Sequence, residues 1–179
     1  SGNMQKSVLK WELIGIAVIS VLGSALHFVF EAAGGWPPVG VFAAVNESVF
    51  EHLKLTFWPT VLWGAITYKV LKQPAGNFLV AKAAAVYVMP VTIIVLFYAY
   101  KAITGTDNLI YDIVSFVVAV ACGQLASYGI LTMRHLTAAC GWLALTLVVL
   151  LALIYGLFTF YPPHLPLFQE ASSGVYGIP

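Results

Sequence analysis

Few side chains in this chain can do chemistry, and they are unevenly placed. The run VNESVFEHLKLTFWP, residues 45–59, holds Glu47, Glu51, His52 and Lys54. His27 and Glu31 stand four apart, so on a helix both can reach one proton or one metal ion. Asp112, His164 and Glu170 are the other groups of interest. Imidazole and carboxylate suit zinc, and a catalytic zinc keeps one position for water. A divalent metal such as zinc is therefore expected on His27, Glu31, His52 and His164. Glu51 and Asp112 are the expected catalytic carboxylates, with Asn46, Glu47, Ser48 and Lys54 as the supporting polar wall. The sequence contains no H-E-x-x-H. The expectation rests on residues pooled by topology, not on one tight motif.

Those residues meet only if their segments end at one level. The 179 residues are 61% hydrophobic and 8% charged, with a mean hydropathy of +0.93. A soluble domain carries about 25% charged residues, so this composition reads as an integral membrane protein whose first partner is the lipid bilayer. No basic cluster is interleaved with aromatics, which excludes nucleic acid as a ligand. A spanning helix needs about 20 mostly apolar residues. Five segments qualify: residues 11–30, 55–71, 78–103, 109–133 and 137–160. The expected fold is all-α, a bundle of five transmembrane helices over residues 4–160. Residues 1–3, ahead of Met4, are set apart as an appended segment. The second helix begins with a half-exposed amphipathic stretch after Asn46. Residues 161–179 form an ordered, non-helical tail that folds over the extracytoplasmic mouth.

Short connections make consecutive helices antiparallel neighbours. Lys6, Lys10, Lys69, Lys72, Lys82 and Arg134 then share one side, against Lys54 and Lys101 on the other. The excess of Lys and Arg marks the cytoplasmic side. The N-terminus is expected there and the C-terminus outside the cell membrane. Glu31, Glu47, Glu51, Asp107, Asp112 and Glu170 fall at the outer end with His27, His52 and His164.

Local patterns refine this. Asn46 is expected to cap the second helix, and Pro59 to free the carbonyl of Leu55. Ser20, Ser24, His27 and Glu31 stack on one face of the first helix, with Gly23 beside them to admit a close neighbour. A carboxylate facing lipid costs about 2.5–3.5 kcal/mol, so Asp112 should either sit shallow enough to reach water or face the bundle interior, with His27, His52 or Lys54 as its partner there. Lys82 is expected to snorkel to the cytoplasmic surface, Cys122 and Cys140 to be small buried residues, and Gln124 to make a packing hydrogen bond. The bland alternatives stand beside these. The charges after Asn46 also suit an interfacial amphipathic turn, and His27 could bond a carbonyl.

VNESVFEHLKLTFWP together with HLPLFQEASSGVYGI resembles an uncharacterised family of small prokaryotic polytopic membrane proteins of unknown function, over nearly the whole chain. Ser48-x-x-x-His52 is loosely similar to the spacing in the membrane metal-hydrolase superfamily of alkaline ceramidases and adiponectin receptors. That second resemblance implies His52 as a zinc ligand with Ser48 as its polar neighbour. The chain has fewer spans than that superfamily and lacks H-x-x-x-H on a late helix. Three roles follow for the polar site: a metal-dependent hydrolase acting on a lipid-like or amphipathic substrate; a non-enzymatic binding protein or transporter for a cation, proton or small polar ligand; or polar pairs that only orient the helices.

Overall fold

A chain in lipid must satisfy its backbone polar groups internally, which a helix does alone. The computed structural model describes residues 2–179. It contains five α-helices: α1 (Gly2–Ala32), α2 (Val49–Leu71), α3 (Ala75–Thr104), α4 (Leu109–Thr132) and α5 (Ala138–Phe160). Short 3-10 turns lie at Pro37–Val41 and Pro166–Phe168. Four helices, all but α2, are long and apolar enough to cross a membrane. The expectation of five apolar spans is thus met for four, because Glu51, His52, Lys54 and Lys69 lower the hydropathy of α2. More than half of α2 is buried inside the bundle, and its Glu51 and Lys54 are screened from lipid by its neighbours.

The helix ends follow local chemistry. Ser48, not Asn46, caps α2: its hydroxyl accepts from the Glu51 N–H at 3.4 Å. Asn46 lies just outside, accepting from the Ser48 N–H at 2.9 Å and donating to the Gly177 carbonyl at 2.8 Å. That tertiary bond outweighs its propensity to cap. Lys72 closes α2 in the left-handed region, with φ 48°. α1 starts at Gly2 and already buries Val8 against Leu71, Phe78 and Leu131. Gly2 and Asn3 lie within this helix, and Ser1 lies outside the described residues.

Close approach between α1 and α2 depends on Gly23. Pro59 lacks an N–H, and a Cβ on Gly23 would lie 2.8 Å from the Leu55 carbonyl oxygen and 2.6 Å from Phe116 Cζ. Bulk here would force the two helices apart. Gly23→Val should destabilise the protein by about 1–3 kcal/mol, the usual range for overpacking. Thermal unfolding in detergent, with Ser24→Ala as a control on the same helix, reads this out.

Two sequence expectations are corrected in the half of the bundle away from the C-terminal tail. Lys82 does not snorkel. It is 8% exposed, and its ammonium donates to Glu12 Oε1 at 2.6 Å and Ser127 Oγ at 3.1 Å. Glu12, fully buried on α1, supplies a counter-ion at that depth, so the ammonium need not reach water. Gln124 does make a packing hydrogen bond, donating to the Glu12 carbonyl at 3.2 Å. Cys122 and Cys140 are free and exposed on the outside of the bundle. α4 turns Ala119, Val120, Gly123 and Gln124 inward, which sends Cys122 outward.

At the other end, called the mouth below, α1, α3 and α5 finish and α2 and α4 begin. The tail turns back there. Phe168 is buried with its ring centroid 4.6 Å from that of Phe50 and 5.6 Å from that of Phe158.

Candidate metal centre

A loop has no ladder of its own to fix it, so side chains must. The loop between α1 and α2 carries Glu47, and a buried ion pair beneath it does much of the fixing. Lys54 and Glu51 are 0% and 1% exposed and form a direct salt bridge. The Lys54 ammonium also donates to the Gly40 carbonyl at 2.7 Å and to Thr159 Oγ1 at 2.8 Å. Glu51 accepts from the Val45 N–H at 3.3 Å and, through its other oxygen, from Thr159 at 3.3 Å. The Trp58 indole N–H donates to the Val41 carbonyl at 2.9 Å. From the tail side, Glu170 accepts from the Glu47 N–H at 3.0 Å. The chain around Glu47 is held from α2, α5 and the tail together.

Glu47 is thereby placed between two imidazoles. Its Oε2 lies 3.1 Å from His27 Nε2 and 3.3 Å from His52 Nε2. The two rings are 5.2 Å apart between centroids. Their ligand atoms all fall within 4.8 Å of one another. Zinc–nitrogen and zinc–oxygen bonds of about 2.0–2.1 Å at tetrahedral angles put neighbouring ligands roughly 3.3 Å apart, which matches the two nitrogen-to-oxygen separations. Protonated imidazoles donating to the carboxylate would also sit at such distances. A proton and a metal ion compete for one place.

His52 is set for the metal role. Its Nδ1 lies 2.8 Å from the Ser48 carbonyl, which can only accept, so Nδ1 carries a proton; Nε2 donates to Glu47 while the ring is an imidazolium and offers its lone pair to a metal once that second proton leaves. Metal-ligating histidines are held in this way by an outer hydrogen bond. His27 lacks such an anchor, because its buried Nδ1 has no partner. Glu47 is held well below the usual carboxylate range, at about 2, chiefly by the hydrogen bond from His52. Burial opposes this shift, while the charges of His27 and His52 assist it. The contribution of these contacts to stability is complete above the ordinary value of 4.5 and is lost as pH falls through about 2. The Glu47 side chain is 58% exposed. Ion pairs this open add little stability, so stability does not account for the arrangement.

The structure brings only some of the expected site residues together. His27 and His52 meet, with Glu47 between them. Glu31 lies nearby, lining a mouth cavity of about 440 Å³ together with Phe30, Val45, Glu47, Glu170 and Ile178. His164 is turned elsewhere, its ring 4.5 Å from that of Tyr176 and outside the ligating trio. Asp112 is half-buried in the first turn of α4, close enough to His52 for their charges to interact. Glu51 and Lys54 lie under the site and engage each other. Gly40 and Thr159, which complete that pair, carried no sequence signal beyond the hydroxyl of Thr159 on an otherwise apolar helix.

Comparison with known proteins gives one match. The model of a family of unknown function, DUF6512, matches residues 2–178. No curated protein matches, and no solved structure matches. The similarity to the ceramidase and adiponectin-receptor superfamily receives no support from these comparisons, and neither does a prokaryotic origin.

Proposed function

Since the chain belongs to a family of unknown function, DUF6512, its role is read from its own site, and we propose that it binds a divalent metal, zinc by ligand type, through His27, Glu47 and His52. The observation that carries this reading is the trio itself: two imidazole nitrogens 3.1 and 3.3 Å from one carboxylate oxygen, with His52 Nδ1 bonded to the Ser48 carbonyl so that Nε2 is the nitrogen facing the trio. Three protein ligands leave a fourth position open. When bound there, zinc supplies Lewis acidity that lowers the pKa of water and polarises a carbonyl.

The proposed activity is hydrolysis of a lipid-like or amphipathic substrate. The adjoining cavity supports it, since its wall mixes Phe30, Val45 and Ile178 with Glu31 and Glu170. Asp112 is the proposed general base, being the carboxylate near His52 that is not tied into the buried pair. α2 is proposed to cross the membrane as the fifth span. Its 23 residues reach about 34 Å at 1.5 Å per residue, against a hydrocarbon core of about 30 Å. The lysine and arginine distribution supports an orientation with the N-terminus in the cytoplasm and the mouth outside the cell membrane.

A second reading has its own support. Glu51, the carboxylate expected to act as a catalytic base, is consumed by Lys54 and Thr159, which favours a metal-binding or transport role without turnover. Zinc titration of chelator-treated protein separates these readings. Binding should weaken as pH falls from 7.5 to 5.5, because histidine must lose its proton to ligate. Zinc-dependent release of fatty acid from ester or amide lipids in vesicles would select hydrolysis. Zinc uptake into vesicles without release would select transport. Failure to bind zinc at any pH in that range would remove both.

A further inference from the structure

Away from the mouth, α2, α3 and α5 leave a groove open to the surroundings of the bundle. It has a volume of about 410 Å³ and is lined by apolar side chains, among them Val61, Ala65, Leu79 and Val148, with Lys82 at its floor. The groove exists because Gly64 has no side chain there. A Cβ on Gly64 would sit 3.5 Å from Lys82 Cγ, an ordinary contact, so the backbone is open down to the lysine stem. The Lys82 ammonium points away into Glu12 and Ser127, leaving only its methylenes to form the floor.

Depth and charge identify what fills it. Along α2 the groove runs from Thr60 to Tyr68, about 12 Å at 1.5 Å per residue. That is close to one leaflet of a hydrocarbon core about 30 Å thick. It lies wholly in the half of the bundle away from the mouth. That end exposes Lys6, Lys10, Lys69, Lys72 and Arg134, while its one acid, Glu12, is buried in an ion pair. Lys69 follows Tyr68 directly and Lys72 lies about one turn beyond it, before Ala75, so both are exposed next to the residues that end the groove. The positive end attracts anionic lipid, by about 1 kcal/mol per basic residue near the surface.

We propose that this groove is a binding site for one anionic phospholipid, with an acyl chain lying between α2 and α5 over Lys82 and the headgroup at Lys69 and Lys72. The site is independent of the metal centre, lying at the opposite end of the bundle.

The test is native mass spectrometry of the detergent-extracted full chain after delipidation and exposure to phosphatidylglycerol or phosphatidylcholine. The expected result is a one-to-one adduct with phosphatidylglycerol, at least ten-fold more abundant than with phosphatidylcholine. Lys69→Gln with Lys72→Gln should abolish that preference, and Gly64→Leu should reduce both adducts by filling the groove. Gly64→Ala, which fits without a clash, checks that loss of lipid is not loss of fold. Equal adducts with both lipids, or an undiminished adduct in folded Gly64→Leu protein, would overturn the proposal. A dimer that Gly64→Leu abolishes would also overturn it, since a second copy would then be the occupant.

Discussion

Replacing Lys54 by methionine should cost about 3–5 kcal/mol of stability, the usual range when one partner of a buried pair is removed. Lys54 is wholly buried, and methionine would leave the Glu51 carboxylate with only the Val45 N–H and the Thr159 hydroxyl. The Gly40 carbonyl would lose its ammonium donor as well. Glu51→Gln combined with Lys54→Met should recover part of the loss, because no charge then stays buried unpaired. Tryptophan fluorescence during denaturant unfolding in detergent measures all three proteins against wild type. An undiminished midpoint in Lys54→Met would mean the pair is reached by water and is not the clamp described above. The same variant should bind zinc more weakly even where it is folded, because Gly40 and Val45 belong to the loop that presents Glu47.

The second large effect concerns the ligands. His52→Ala should weaken zinc binding by at least a hundred-fold, since it removes both a ligand and the imidazole anchored on Ser48. Glu47→Gln, which keeps the shape but removes the charge, should weaken it by about ten- to a hundred-fold. His164→Ala should leave affinity unchanged, because that ring stacks on Tyr176 and not on the trio. Competition with a fluorescent zinc chelator gives the affinities. Equal losses in His164→Ala and His52→Ala would show that the tail histidine ligates and that the trio is wrongly drawn.

The contrast between those two histidines illustrates what could be read from residues alone. His27 and His52 sit on helices, where a spacing and a level in the bundle fix both direction and depth. Helix periodicity and alternating topology were enough to bring them together. His164 lies in the tail, where no periodicity applies and an aromatic contact with Tyr176, twelve residues along the chain, decides its orientation. Glu47 was visible as a polar residue of the site, but its ligating position was not. It stands before the Ser48 cap, in a loop whose course depends on Lys54, Trp58, Thr159 and Glu170.

The helices themselves were legible to within a few residues, except at the start of α1. Hydropathy over a window of a span's length registers an apolar run but not the turns that extend it into polar sequence. Lys82 was misread for a related reason. Depth in the membrane is a property of sequence position, whereas the presence of Glu12 beside it is a property of how α1 packs on α2 and α4. The Glu51–Lys54 spacing of three did hold a signal, since residues so placed share a helix face. Nothing in that spacing told a buried pair from a solvated one.

The most direct test is elemental analysis of wild-type protein, purified without chelators and without a polyhistidine tag, beside His52→Ala prepared identically. The account predicts close to one zinc or other divalent transition metal per wild-type chain and a marked loss in the mutant. Metal-free wild-type protein that also fails to take up added zinc would contradict it, leaving His27, Glu47 and His52 as a proton-linked contact at the mouth of the bundle.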